Sequence, residues 1–345
     1  SHYRSGKWMQ SRYRSRKIFN VIITQHFYKT RIMKKNLLAF AMLMMASATF
    51  AQINFGGVQA NDNKMEYSQK FADINYAGDD QAYHTLDIYL PKEKKASYPV
   101  VIHIYGSAWF SNNSKNMADL NTICAALLNA GYAVVTPNHR SSNDAKYPAQ
   151  INDIRAVIRF VRGEAANYNL DPNFVGISGF SSGGHLASLA LTTHGLKNGI
   201  LGEENYDLEG NLGKYTDQNS DVDAACSWSG PIDLQNMDCG ESMKMPTSPE
   251  EVLIGVPMSE KPDKYALLSP IHYVDATDPP IMVFHGTEDN VVPYCQGERF
   301  AKALKDAGAN YQFNRVEGGG HGFNMYSEEN LKKMVDFFNQ AKSKK

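Results

Sequence analysis

An α/β fold built on one mostly parallel sheet of about eight strands is predicted for this 345-residue chain by three observations. Short apolar or β-rich runs alternate with segments of helical period from residue 99 to the C-terminus, which implies strands covered by helices on both faces. Those runs are rich in Val, Ile and Phe, as strands buried on both sides require. One of them leads into a serine flanked by glycines and then at once into a helical stretch. A composition of 43% hydrophobic and 21% charged residues excludes disordered, collagenous and disulfide-scaffold classes.

Residues 1–51 hold 10 Lys or Arg and no acidic residue. Within them Met33-Lys34-Lys35 precedes the apolar run Leu37 to Ala46, and the small-residue triplets Ala46-Ser47-Ala48 and Thr49-Phe50-Ala51 follow. This is the order of a secretory signal peptide over 33–51, with cleavage expected near Ala51 or, alternatively, Ala48. The other reading is a short membrane anchor. The apolar run is only half of the ~20 residues a permanent helix needs to cross a bilayer. Residues 1–32 are read as an upstream leader outside the fold and 52–64 as a linker, leaving one domain over 65–345, exported to the periplasm or the medium. Residues 52–345 keep 25 basic against 36 acidic residues, a net charge of −11, so they repel nucleic-acid backbones.

In an oxidising compartment the four cysteines matter. Cys124, Cys226, Cys239 and Cys295 include no Cys-x-x-Cys pair and no histidine at zinc-ligand spacing, so no metal site is expected. Cys124 falls on an apolar helical stripe and Cys226 in a buried strand, where each acts as a small hydrophobe. Pairing of Cys239 with Cys295 is left open.

Met65 to Tyr76 and Tyr83 to Leu90, separated by Gly78-Asp79-Asp80, read as an antiparallel pair opening the domain. Six further strands are predicted at Pro99–Tyr105, Tyr132–Thr136, Phe174–Ser178, Val222–Trp228, Pro280–His285 and Tyr311–Val316. Helical spacing links Leu120, Ile123, Cys124, Leu127 and Leu128, then Ile151, Ile154, Val157, Ile158 and Val161, and finally Leu331, Met334, Val335 and Phe338. Lys197 to Ser220 and Asp233 to Ser269 lack a period and are expected to cross the top of the sheet as loops or a small cap.

The strand Phe174–Ser178 enters Gly179-Phe180-Ser181-Ser182-Gly183, and the helical Leu186 to Leu191 follows. Glycines at 179 and 183 let strand and helix approach closely and expose the Ser181 hydroxyl above the sheet, the context of a nucleophilic serine. Ser178 and Ser182 are out-of-register competitors; Ser182 is expected to offer its backbone N–H. The base expected to follow is His321, in the flexible Gly318-Gly319-Gly320-His321-Gly322-Phe323 loop after the last strand. His285 and His185 are assigned structural hydrogen bonds. For the acid, Asp289 is preferred and Glu288 is the runner-up, both just beyond a strand end. Small residues in Tyr105-Gly106-Ser107-Ala108-Trp109 let backbone N–H groups of Ser107 and Ala108, with that of Ser182, approach a developing oxyanion. Tyr105 and Trp109 are candidates to touch substrate, with loop packing the other role for Trp109.

With these segments the chain resembles the α/β-hydrolase superfamily, and within it the secreted carbohydrate esterases of the acetyl-xylan and feruloyl esterase type. The likeness runs from Tyr83 to the C-terminus through His103–Trp109, Asn138-His139-Arg140, Tyr147-Pro148-Ala149-Gln150, the serine turn, Ser229-Gly230-Pro231-Ile232-Asp233, the Asp289 loop and Gly320-His321-Gly322. Many relatives carry His-Gly-Gly-Gly-Trp where this chain has Tyr105-Gly106-Ser107-Ala108-Trp109, a departure that keeps the backbone donors and alters acyl-pocket width. The resemblance implies hydrolysis of acetyl or aromatic esters on small molecules or oligosaccharides, with no metal or organic cofactor. A prolyl-oligopeptidase-like peptidase and a non-catalytic binding protein are the alternatives. The first usually carries a large N-terminal domain, for which about 50 residues between Ala51 and Val101 leave no room; against the second stands the Ser, Asp and His set.

Overall fold

Side chains along the strand Tyr98–Ile104 alternate between two buried layers: Val100, Ile102 and Ile104 join one apolar cluster and Val101 the other. A strand with core on both faces must be sandwiched by helices, and the computed structural model, which describes residues 65–238 and 248–345, has that arrangement. The expected leader, signal peptide and linker, and Cys239, lie outside the described residues.

The strands are β1 (Gln69–Asn75), β2 (Thr85–Leu90), β3 (Tyr98–Ile104), β4 (Ala133–Pro137), β5 (Leu170–Phe180), β6 (Asn198–Leu201), β7 (Glu204–Asp207), β8 (Ala224–Trp228), β9 (Ile281–Gly286) and β10 (Tyr311–Val316). All eight runs expected as strands share one sheet, in the order β1-β2-β4-β3-β5-β8-β9-β10. β1 pairs antiparallel with β2 and β2 with β4, and every other pairing is parallel. The β1–β2 register shifts between Phe71 and Ile74, where Asp73 takes a φ of 54°. There Asp73 N–H donates to Asp87 Oδ1 at 2.8 Å, and buried Lys115 Nζ reaches both carboxylates, at 2.8 and 2.7 Å.

Helices α1 (Ala125–Asn129), α2 (Ala149–Gly163), α3 (Ser182–Thr192), α4 (Pro249–Ile254), α5 (Pro262–Leu268), α6 (Cys295–Ala307) and α7 (Glu328–Ser343) cover it. A π-helical turn, Leu120–Cys124, leads into α1. Ile154, Val157, Leu186, Leu189, Phe300 and Leu304 place α2, α3 and α6 on one face. Leu127, Leu128, Met334, Phe337 and Phe338 place α1 and α7 on the other.

Two expectations need refinement. The stretch Lys197–Ser220 is more than loop, since β6 and β7 form an antiparallel hairpin there, and Asp233–Ser269 contains α4 and α5. The hairpin segment is tied down by Glu209, whose carboxylate accepts from Arg155 at 2.9 Å and Arg159 at 2.6 Å, both on α2. Cys124 and Cys226 are buried free thiols, pushed well above the usual range by burial, while Cys295 is disulfide-bonded.

Asp278, just before β9, carries a testable pH dependence. Burial raises its pKa to about 7, against a backbone N–H bond from Asp275. The folded state then binds a proton that the unfolded chain releases, so this group lowers stability progressively as pH rises from its unfolded value toward about 7. Asp278→Asn keeps the acceptor and removes the charge. Its Tm is expected to exceed wild type at pH 8 and to match it at pH 4, by differential scanning fluorimetry.

Candidate active site

The turn between β5 and α3 is held by its glycines. A Cβ on Gly179 would lie 2.1 Å from Gly183 O, and one on Gly183 would lie 2.1 Å from Ile104 O. No side chain fits at either position, and between them Ser181 adopts φ 55° and ψ −121°. Such strained backbone persists only where the surroundings over-determine it. Here Ser181 N–H donates to Trp228 O at 2.9 Å, and His185 N–H to Ser181 O at 3.0 Å.

Parallel β9 and β10 end side by side, so their following loops meet above the same turn. His321 Nε2 lies 2.9 Å from Ser181 Oγ and His321 Nδ1 lies 2.8 Å from Asp289 Oδ2. All three residues are buried. Burial opposes ionisation of Asp289, but the adjacent His321 and the Val291 N–H hold its carboxyl below the usual carboxylate range. Its Oδ1 accepts from Val291 and Val292 N–H at 3.0 and 2.9 Å, which aims Oδ2 at the imidazole. An ionised carboxylate only accepts, so Nδ1 carries the proton and Nε2 faces Ser181 with its lone pair. A proton can therefore pass from Ser181 Oγ to His321. Phe180 packs against the His321 ring with centroids 4.7 Å apart, and half-exposed Phe323 stands two residues beyond.

The competitors are elsewhere. Glu288 is exposed, with its backbone N–H on Gly319 O, and Ser178 is buried inside β5. Ser182 Oγ accepts the Ser107 N–H at 2.9 Å. His285 Nε2 donates to Val292 O at 2.8 Å and so supports the acid loop.

That Ser182 bond changes the expected set of oxyanion donors. Ser107 N–H is already engaged, whereas the Ala108 N–H has no acceptor among the described residues and the Ser182 N–H belongs to the first turn of α3, where no intrahelical acceptor exists. Gly106 brings this loop against the turn, since a Cβ there would meet Ser181 Cβ at 2.9 Å. The two candidate substrate contacts lie inside the loop, and for Trp109 the placement fits the packing role. Tyr105 is 1% exposed, stacked on His139 and bonded through its hydroxyl to Ser111 O; Trp109 is 2% exposed, and its indole N–H points to His185. Both rings turn inward because their polar atoms find partners there. Sequence reasoning also missed Gln296, whose buried amide accepts from Ile232 and Asp233 N–H at 2.8 Å each and fixes the loop after β8. A lone glutamine in a helical stretch gives no signal for that.

Residues 86–304 match the BD-FAE family model, well over half of the chain. The chain belongs to the BD-FAE family. A second match, described as phospholipase/carboxylesterase, covers residues 269–341. BD-FAE membership fits the α/β-hydrolase fold, and two solved structures share it at high identity. One is a truncated form of a carbohydrate esterase from gut microbiota, 47% identical, covering 82% of this chain and 99% of that one at a TM-score of 0.77. The other is a bifunctional GH43-CE protein from Bacteroides eggerthii, 50% identical, covering 79% of this chain and 35% of that one at a TM-score of 0.76. Among curated proteins, esterase LipQ of Mycobacterium tuberculosis is 32% identical over 70% of this chain and 54% of its own length. The chain spans about half the length of the curated relatives it matches. Among the described residues no helix is long and apolar enough to cross a membrane.

Proposed function

We propose that this BD-FAE protein is an exported serine esterase that removes acetyl or feruloyl groups from plant polysaccharide or oligosaccharide. The observation that carries the reading is the aligned chain Ser181–His321–Asp289, with 2.9 and 2.8 Å between successive groups. The similarity to carbohydrate esterase structures supports the substrate class.

In the proposed reaction His321 Nε2 takes the Ser181 hydroxyl proton as Oγ attacks the ester carbonyl. The Ala108 and Ser182 N–H groups stabilise the tetrahedral oxyanion. As the intermediate collapses, His321 returns the proton to the departing sugar oxygen and acyl-Ser181 remains. Water then attacks the acyl carbon, giving its proton to His321; the free acid leaves and Ser181 recovers its proton. Asp289 stays ionised throughout and stabilises the imidazolium.

Purified protein is to be assayed on acetylated xylan, a feruloylated oligosaccharide, short p-nitrophenyl esters and a prolyl peptide amide. Turnover of at least one carbohydrate ester above the simple esters is expected, with no measurable amide cleavage. Amide turnover far above ester turnover would overturn the reading.

A further inference from the structure

His185 lies one helical turn beyond Ser181 on α3, fully buried. Its Nε2 donates to Leu268 O, at the end of α5, over 2.8 Å, which leaves Nδ1 as a lone-pair acceptor. Trp109 Nε1–H donates to that nitrogen at 3.2 Å, and the two rings meet edge to face at 5.1 Å. Burial pushes the imidazole down to about 4, so it remains neutral and keeps the lone pair. Trp109 directly follows Ala108, and both hold left-handed backbone, with φ of 61° and 49°. Non-glycine residues keep such angles only under external restraint. Within the turn, Phe110 N–H donates to Ser107 O at 2.9 Å and Ser111 N–H to Ser107 Oγ at 3.3 Å; it is tied to the rest of the fold by Ser142 N–H to Trp109 O at 2.8 Å, Ser107 N–H to Ser182 Oγ at 2.9 Å and the indole bond to His185.

We infer that His185 is a positioning residue for the oxyanion loop: by gripping the Trp109 indole from the helix that carries Ser181, it fixes where the Ala108 N–H points relative to the nucleophile. This rests on the serine esterase reading and adds a part to it. One imidazole joins three segments that are distant in sequence: the loop after β3, α3, and the end of α5. The grip is on a side chain, but its effect is on the neighbouring backbone donor. That donor matters only when the carbonyl oxygen gains charge, so losing its aim should lower kcat and leave ground-state binding nearly unchanged.

The test is a double-mutant cycle on p-nitrophenyl acetate hydrolysis, with His185→Leu, Trp109→Phe and the pair, and His185→Asn as the conservative variant. Circular dichroism reports folding of each. Displacement of a reacting group by about 1 Å costs about 10²-fold, and His185→Leu is expected to lose kcat on that order with KM within about threefold. Trp109→Phe, which keeps ring bulk and removes only the donor side of the bond, is expected to lose a similar factor and carries the test if His185→Leu does not fold. The double variant is expected to be no worse than the poorer single one, as for residues acting through one contact. His185→Asn, whose Oδ1 takes the place of Nδ1, is expected to recover most of kcat. Multiplying losses in the double variant, a change confined to KM, or an Asn variant as poor as Leu would each overturn the inference. Ser181→Ala runs alongside: if it keeps wild-type turnover, the serine reading has failed; if it is dead while the losses multiply, only the His185 role falls.

Discussion

Ser181→Ala is expected to reduce ester turnover by a factor on the order of 10⁶, because loss of the nucleophile from such a unit removes nearly all that the unit provides. What remains is the binding and oxyanion stabilisation that the Ala108 and Ser182 N–H groups supply, a residual rate of about 10³ to 10⁴ over water. Intact-mass spectrometry after treatment with a fluorophosphonate gives a second, independent readout. The wild type should gain one adduct, mapped by peptide digestion to Ser181, and the variant none. The competing serines make this a sharp measurement, since Ser178 is enclosed in β5 and Ser182 Oγ is occupied as an acceptor. A label on either would remove Ser181 from the mechanism.

Asp289→Asn is expected to lower kcat/KM by about 10⁴-fold while leaving the fold intact. Oδ1 of the new amide can still accept from Val291 and Val292, so the loop geometry survives and the amide nitrogen faces His321 Nδ1. An N–H there requires a lone pair on Nδ1, which moves the imidazole proton to Nε2. The ring then offers Ser181 a donor where it needs an acceptor. Glu288→Gln is the control: its side chain is exposed, and its backbone N–H, which makes the Gly319 bond, is unaffected, so activity within about twofold of wild type is expected. The opposite ranking in steady-state assays would transfer the role to Glu288.

The parts legible in the sequence were those that periodicity and glycine placement encode. All eight strands of the main sheet appear as apolar runs, and Gly179 and Gly183 signal a turn too close for side chains. Helix α6 escaped because its buried face includes Gln296 and Gly297 beside Phe300 and Leu304, so the apolar stripe is thin. The β6–β7 hairpin escaped for a related reason, since Asn, Gly, Glu and Asp dominate it and leave no clear alternation. Oxyanion donors depend on rotamers and on local competition for hydrogen bonds: nothing in Ser107-Ala108 announces that a hydroxyl 75 residues away occupies the first N–H. Trp109 was ambiguous for the same cause, as its orientation is decided by His185, a partner distant in the chain.

The register break in β1 bears on how this sheet meets other molecules. An outermost strand offers unpaired backbone groups that a foreign strand can extend, and natural sheets blunt such borders with charge and bulges. Here the left-handed Asp73 turns its own N–H inward onto Asp87, and Lys70 sits close by, its ammonium 3.3 Å from the same carboxylate. An incoming chain would find the ladder interrupted at mid-length and an ion cluster beside the gap. This border of the sheet is thereby guarded against strand-to-strand aggregation, by the same residues that anchor buried Lys115.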